Sequence, residues 1–145
     1  MSERVALTSP VEVAPPPGFR ACALHDPFEA YLGPLFEAAD GSKRYAFYVD
    51  ERHLAEDGRC HEGMLMTFAD AFLGSAAHHG SGGKTCVTLS MQASYLGLPK
   101  LGDLVEVVPE LDHRTRAILF VSGSFFVGDQ PVMRATSLWK VLGAN

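Results

Sequence analysis

Apolar and polar positions change their period along the chain, and the change separates a helix from the strands that follow it. Over residues 62–78 the apolar side chains cover nearly every side of a 3.6-residue helix, which predicts a helix buried on most faces. Over residues 87–95 apolar and polar side chains alternate, as in a strand with one apolar face. A helix that is apolar on nearly every side must bury those sides against other elements, and the strands are the elements available. The pattern therefore predicts an α+β fold with one long central helix wrapped by a curved antiparallel sheet.

Shorter signals mark the other elements. Asp26 and Pro27 open a helix signal that Gly33-Pro34 interrupts, so two short helical turns are expected within residues 26–39. Residues 45–49 are aromatic and β-branched and predict a strand before the helix. After the helix, four strands are expected in a meander, at residues 87–95, 104–108, 114–127 and 132–142. A turn is predicted at residues 111–113 and a bulge at Gly123.

The beginning of the chain carries few signals of regular structure. Pro10 and the run Pro15-Pro16-Pro17-Gly18 favour extended geometry, so residues 1–26 are interpreted as an N-terminal arm. Residues 27–145 are interpreted as one domain, which suits a chain of 145 residues. Hydrophobic residues make up 47% and charged residues 20%, a globular composition that excludes disorder of the whole chain.

Charge and cysteine content narrow the partners and the compartment. The formal charge is −5, from 12 basic and 17 acidic residues without a basic run, which argues against nucleic acid or an anionic membrane as partner. Cys22, Cys60 and Cys86 are an odd number of thiols with no CxxC spacing, which suits a reducing compartment. No signal peptide or membrane span is indicated, and a cytoplasmic protein is predicted.

The predicted central helix carries a carboxylate among apolar neighbours. At 100° per residue, Gly63, Thr67, Asp70, Gly74 and Ala77 share one narrow stripe of small side chains. A carboxylate there must be paired, protonated or close to a solvated cleft. The small neighbours leave room for a substrate, a water molecule or a second subunit. Two structural alternatives stay open: a buried arginine pairs with Asp70, or the stripe only permits close helix packing.

The start of the same helix is a second candidate for chemistry. The amides of Glu62, Gly63 and Met64 have no helical acceptors and lie at the positive end of the helix dipole. Such a terminus can bind an anion or a developing oxyanion. The alternative is ordinary capping, with Glu62 as a favourable first-turn acid.

Several short motifs are spaced along this helix and the strand after it: His61-Glu62-Gly63, Ala69-Asp70, Thr88, Tyr95-Leu96 and the turn at residues 99–102. Together they resemble the hotdog-fold acyl-CoA thioesterases of the phenylacetate-degradation (PaaI-like) branch, over about residues 27–142. Phe28 with Gly33-Pro34-Leu35 is similar to the N-terminal segment of that branch. The resemblance implies the hotdog fold for the α+β architecture predicted above.

The resemblance also implies roles for particular residues. Asp70 would be the general base or nucleophile, and the backbone N–H of Glu62, between His61 and Gly63, would polarise the thioester carbonyl. The hydroxyl of Thr88, eighteen residues after Asp70, would assist the water or the carboxylate. The implied activity is hydrolysis of an acyl-CoA without metal or cofactor. The implied assembly is a homodimer or a dimer-based homotetramer, in which Asp70 comes from the partner subunit.

Two positions depart from the pattern of the family. Glu62 stands where the family has glycine, and Ala55 stands where it often has asparagine. These departures keep open a non-catalytic acyl-CoA-binding protein on the same fold. A hotdog dehydratase or hydratase is less favoured, because no helical histidine lies on the Asp70 stripe.

Substrate-binding residues are also expected. Coenzyme A carries phosphates, so a cationic rim is expected, with candidates at Lys84, Lys100, Arg114, Arg116 and Arg134. Arg114 and Arg116 are preferred, because they alternate with Thr115, which places both on one face of the predicted strand. The acyl pocket is expected to draw on Met64 and Tyr95 and on Phe36, Met66 and Phe68, and subunit packing decides which of these line it. Solvated charges at a strand end are the alternative reading of the arginines.

A metal site and a cysteine nucleophile are both disfavoured. His61 and His78 are 17 residues apart, about 26 Å along one helix, so they cannot share a metal ion within a subunit and no metal site is predicted. Cys60 lies beside the proposed oxyanion donor but has no evident base, which favours a packed thiol over a nucleophile.

Overall fold

In the computed structural model, which describes residues 5–144, one 19-residue helix lies against a curved sheet. Residues 1–4 of the predicted arm and residue 145 of the predicted domain lie outside the described residues. The helices are α1 (Pro27–Leu32) and α2 (Glu62–Gly80), with a 3-10 turn at Glu51–His53. The strands are β1 (Phe19–Ala21), β2 (Phe36–Ala38), β3 (Tyr45–Tyr48), β4 (Cys86–Tyr95), β5 (Leu104–Val107), β6 (Glu110–Arg114), β7 (Ile118–Val127) and β8 (Gln130–Val141).

The strands form one antiparallel sheet in the order β1-β2-β3-β5-β7-β8-β4, and β6 pairs with β7 off this path. The predicted α+β architecture, a long helix wrapped by an antiparallel sheet, is confirmed. The predicted meander is wrong, because β4 follows α2 to the far edge beside β8. The chain then returns to place β5 between β3 and β7.

Helix α2 packs one side into the sheet and leaves the other side open. Its buried residues are Met64, Leu65, Phe68, Ala69, Phe72, Leu73 and Ala77. The ring of Phe68 lies 4.7 Å from that of Phe47 and 5.7 Å from that of Phe125, centroid to centroid, which joins the helix to β3 and β7. The prediction of burial on most faces is therefore wrong for this chain, because Glu62, Asp70 and His78 are exposed. Within residues 5–144, no helix is both long and apolar enough to cross a membrane.

Gly74 allows the sheet to approach this helix closely. A Cβ atom on Gly74 would stand 2.8 Å from the Trp139 ring, so any larger residue would push the indole away. The Trp139 Nε1–H donates to Ser137 Oγ at 2.7 Å, and the Ser137 hydroxyl donates to the Val121 carbonyl at the same distance. The small residue predicted beside Asp70 at this position thus serves packing against β8.

Three local predictions are wrong. Only the first half of residues 26–39 is helical, because the chain after Gly33-Pro34 pairs as β2 with β3. Residues 111–113 belong to β6, and the turn lies at residues 115–117, so the predicted long strand at 114–127 is divided. Gly123 pairs in regular register with Ala135. Its small size instead admits the side chains of Val107 and Leu73, which a Cβ atom would meet at 3.0 and 3.1 Å.

Short helix α1 is held at both ends. The Asp26 carboxylate caps its start by accepting from the N–H groups of Phe28 and Glu29. At its end, the Arg52 guanidinium donates to the carbonyls of residues 31–33 and forms an ion pair with Asp50 at 2.7 Å. A cation at the end of a helix satisfies carbonyls that have no helical donor and complements the dipole.

Buried His53 completes this clamp. Its Nδ1 accepts from the Asp50 N–H at 3.0 Å, so Nε2 carries the proton and donates to the Leu32 carbonyl at 2.7 Å. Burial lowers the pKa of His53 from 6.5, although nearby Asp50 favours the charged form. The neutral ring is therefore the form that fits the clamp.

We expect this clamp to make stability depend on pH. The pKa of His53 is below 6.5 in the folded protein, so as the pH falls the unfolded chain binds a proton before the folded protein does. The contribution of His53 to the free energy of unfolding is therefore complete above pH 6.5 and decreases as the pH falls through the folded pKa. Urea unfolding at pH 7.5 and 5.5 should show a loss of stability at the lower pH. A His53→Gln variant, whose amide keeps a donor and an acceptor without titrating, should show a smaller loss. An equal loss in both proteins would contradict this role.

Candidate active site

Helix α2 and edge strand β4 bring together the carboxylate and the hydroxyl that the spacing had singled out. Thr88 Oγ1 donates to Asp70 Oδ1 at 2.7 Å, and both residues are exposed in the single chain. The β4–β8 register shifts between Thr88 and Ser90, so an irregularity follows directly after the hydroxyl. Bulges commonly redirect side chains next to functional sites.

Asp70 is not neutralised by a cation. None of the ion pairs found between residues 5 and 144 includes it. The alternative of a buried arginine partner therefore has no support here, and the carboxylate faces an open side of the helix. A short hydrogen bond from a hydroxyl leaves the remaining lone pairs of the carboxylate available.

Of the first three amides of α2, two are hydrogen-bonded and one has no acceptor among the described residues. The His61 side chain caps the helix, and its Nδ1 accepts from the Gly63 N–H at 2.8 Å. The Met64 N–H donates to the His61 carbonyl at 2.9 Å. The Glu62 N–H has no acceptor among the residues described, and Glu62 is exposed. Of the two motif amides, that of Glu62 is therefore the one open to a ligand.

The predicted acyl-pocket residues take different positions. Tyr95 lies beside the helix start, where its hydroxyl donates to the Glu62 carbonyl at 3.4 Å. Burial, and secondarily the Glu62 charge, raise the pKa of Tyr95, so the phenol stays protonated and can donate. Met64 is 5% exposed, and Phe36 and Phe68 are fully buried, so these three side chains contribute to core packing in the single chain.

The two arginines proposed for the phosphates do not share a strand face. Arg114 ends β6 and donates to the Gly80 carbonyl at the end of α2, while Arg116 lies in the following turn. The guanidinium of Arg114 therefore caps a helix end about 27 Å from the Glu62 amide, at 1.5 Å per residue.

Other cations lie near the start of α2. Arg59 and Lys100 pair through their backbones, because the Cys60 N–H donates to the Pro99 carbonyl and joins the two loops. Arg59 also pairs with Asp57 at 2.5 Å. Sequence reasoning missed this placement, since nothing in either loop indicates that they meet.

Cys60 is a packed thiol beside the site. It is buried, and burial together with the Glu62 charge raises the pKa of the thiol to about 12. A protonated thiol is a poor nucleophile at neutral pH. Across the part of the chain that the structure covers, no group of three or more His, Cys, Asp or Glu side chains is placed to hold a metal ion.

Glu29 is a neighbour of Asp70 that sequence reasoning missed. Burial raises the pKa of its carboxyl, with smaller contributions from the charges of Asp26 and Asp70. Its only signal was a first-turn acid in a short helix. The packing of α1 against α2 cannot be inferred from that signal.

A long helix in a curved antiparallel sheet, with an aspartate and an exposed amide on its open side, defines the class of hotdog-fold proteins with a candidate acyl-transfer site. The thioesterase superfamily model matches residues 57–133, more than half of the chain and the region that holds His61, Asp70 and Thr88. The chain belongs to the thioesterase superfamily.

Individual relatives agree with this assignment. A "Putative esterase" of Pseudomonas aeruginosa is 29% identical over 129 residues, covering 87% of this chain and 96% of that protein. A hypothetical thioesterase from Streptococcus pneumoniae, solved with coenzyme A, is 26% identical with a TM-score of 0.65, covering 70% of this chain and 82% of that one. Escherichia coli PaaI, from the phenylacetic acid degradation operon, has a TM-score of 0.64 at 15% identity, covering 70% and 73%, and shows the fold alone.

Proposed function

We propose that this protein is an acyl-CoA thioesterase of the PaaI-like branch, with Asp70 as the group that activates or delivers the attacking oxygen. The observation that carries the proposal is the hydrogen bond from Thr88 to Asp70 at 2.7 Å. The two residues, on a helix and an edge strand, have the spacing of eighteen positions that belongs to the family motif, and they are in contact. The coenzyme A bound by the Streptococcus pneumoniae relative supports the substrate class.

The chemistry follows from the groups present. The thioester oxygen would accept from the Glu62 N–H, where the helix dipole favours negative charge as the carbonyl is attacked. Asp70 would take a proton from water, whose oxygen then bonds to the carbonyl carbon. The carbon–sulfur bond breaks, and the proton held by Asp70 passes to the leaving thiolate. Direct attack by the carboxylate, followed by hydrolysis of the anhydride, is the other route open to the same residue. Thr88 would orient the carboxylate in either case.

One chain cannot perform this reaction with its own two groups. Asp70 lies eight residues after Glu62, which is about 12 Å along the helix axis. A carbonyl held at the Glu62 amide is therefore out of reach of Asp70 in the same chain. A second copy, related by a two-fold axis, would bring its Asp70 to the amide and complete two equal sites.

Strand β4 is the edge through which we propose that the two copies meet. It pairs only with β8 within the described residues, and most of its side chains, Thr88 among them, are exposed. An unpaired edge favours pairing with another strand. Pairing of two β4 edges would continue the sheet and place the two α2 helices side by side.

A non-catalytic acyl-CoA-binding protein is the second candidate. The exposed side chain of Glu62 favours this function, because it lies beside the amide that the carbonyl must approach. Ala55 also favours it, because alanine lacks the side-chain amide that asparagine would provide. Acyl-CoA binding without release of free coenzyme A would establish this function in place of hydrolysis.

Replacing Asp70 tests its role in the proposed hydrolysis. We expect Asp70→Asn to lower kcat by about 10²–10⁴, because the amide cannot accept the proton or attack. Thr88→Val should lower kcat less, and Thr88→Ser should keep most of the activity because it retains the hydroxyl. Thiol release from a panel of acyl-CoAs measures these effects. Near-wild-type turnover by Asp70→Asn would remove Asp70 from the mechanism.

The backbone amide can be deleted at little structural cost. Glu62 is the first residue of α2, where proline is favoured, and His61 before it is extended, at φ −64° and ψ 136°. Glu62→Pro should therefore lower kcat by about 10²–10³ while the melting temperature stays near that of the wild type. Glu62→Ala, which keeps the N–H, is the matched control. Equal activity of the two variants would exclude this amide as the carbonyl donor.

A mixing experiment tests the shared site. Asp70→Asn and Glu62→Pro should each be inactive alone, whereas a heterodimer holds one site built from two intact halves. After subunit exchange, activity should rise toward about a quarter of the wild-type value, since half of the dimers carry one good site of two. Native mass spectrometry confirms the heterodimer. Its presence without activity would contradict a site shared between copies.

A further inference from the structure

A small, partly open cavity lies between α2, α1 and the first strands. It has a volume of about 240 Å³, and its wall on α2 is formed by Ala71, Phe72 and Ser75. Asp70 precedes Ala71 in the chain and is close enough to Glu29, in the α1 wall, for the two charges to interact. Leu24 and Leu35 add apolar surface, and Glu29 adds a carboxyl group. The volume corresponds to roughly eight water-sized groups, enough for a short acyl chain and far too little for coenzyme A.

Glu29 places a negative charge in the wall of this cavity on the α1 side. It is half-buried, and its carboxyl has no hydrogen-bond or ion-pair partner among residues 5–144. No lysine or arginine lines the cavity, and its second acid, Glu37, pairs outside with Arg20 at 3.5 Å. The polar groups that remain are the Cys22 thiol and the hydroxyls of Tyr45 and Ser75, which lie 3.4 Å apart.

The position of the cavity decides which part of a substrate can enter it. This step rests on the proposed function, which places the reacting carbonyl carbon next to an Asp70 carboxylate. That carbon has two substituents, the acyl chain and the sulfur of coenzyme A. The nucleotide end of coenzyme A must remain outside because of its size. The acyl chain is thus the substituent that can occupy a cavity whose wall begins at Ala71.

We propose that Glu29 is a specificity-determining residue that excludes acyl groups ending in a carboxylate. A terminal carboxylate in this cavity would lie against the Glu29 carboxylate, with Asp70 nearby and no lysine or arginine in the wall of the cavity. Like charges in a partly buried cavity repel strongly because water screens them little. An uncharged acyl tail carries no charge for Glu29 to repel, so it enters without this penalty.

The test compares two acyl-CoAs of six carbons, hexanoyl-CoA and adipoyl-CoA, which differ by the terminal carboxylate. At pH 8 the wild type should show a kcat/KM about 10²-fold higher for hexanoyl-CoA. Glu29→Gln, which keeps the shape and removes the charge, should reduce this preference by about tenfold or more, mainly by improving adipoyl-CoA. Glu110→Gln, the same substitution on an exposed strand residue away from the cavity, should leave the preference unchanged.

The outcomes separate this inference from the proposed function. Absence of thiol release from both compounds would contradict the thioesterase, and calorimetric affinities of the two acyl-CoAs would then carry the same comparison. An equal preference in the wild type and Glu29→Gln, in turnover or in affinity, would overturn the role of Glu29. Glu29→Ala provides a second variant if Glu29→Gln fails to fold. Wild-type protein that accepts adipoyl-CoA as readily as hexanoyl-CoA would overturn the inference directly.

Discussion

The packing of α2 into the curved sheet is the constraint on which the rest of this structure depends. The side chains of Leu65, Phe68, Phe72 and Leu73 are buried in the core. Phe68 contacts aromatic rings of β3 and β7, Phe72 contacts one of β3, and this burial fixes the rotation of the helix about its axis. Once the rotation is fixed, Asp70 must point to the open side, because it lies about 200° from both Phe68 and Phe72. The exposed carboxylate is thus a consequence of where the aromatic side chains are buried.

The sheet supplies the hydroxyl group that pairs with the carboxylate of the helix. Its edge strand β4 lies next to the open side of α2 and places the Thr88 hydroxyl 2.7 Å from Asp70. Close approach of β8 through Gly74 and Trp139 holds that edge against the helix, and the hydrogen-bonded chain from Trp139 to Ser137 satisfies the indole within the core. The packing contact between Gly74 and Trp139 and the hydrogen bond between Thr88 and Asp70 therefore lie on the adjoining strands β8 and β4. A larger residue at position 74 would disturb both contacts.

The hydrophobic periods of the chain allowed the α+β architecture to be predicted. The resemblance to the PaaI-like thioesterases singled out Asp70 and Thr88, through the spacing of eighteen residues that the family motif has. The strand order could not be predicted, since nothing in β4 or β5 shows which edge each one joins. The division of residues 114–127 was hidden for the same reason: β6 is polar and exposed, with no apolar face to mark it as a strand. Glu29 and Arg59 acquire their neighbours only through packing between distant segments, which no period in the chain reveals.

The length of helix α2 fixes the distance between the two candidate catalytic groups. Its rise places the Glu62 amide and Asp70 about 12 Å apart in one chain, and no side-chain rotation removes that separation. The same rigidity makes a two-copy site well defined, because each helix would present an amide and a carboxylate at fixed positions to its partner. The cavity beside Ala71 belongs to the same rigid frame. Glu29, the acid of the cavity without an ion-pair partner among the described residues, lies on α1, whose end is held by Arg52 and His53. Selection of the acyl group and activation of the nucleophile would thus be divided between a short helix and a long one, joined by packing rather than by a direct bond.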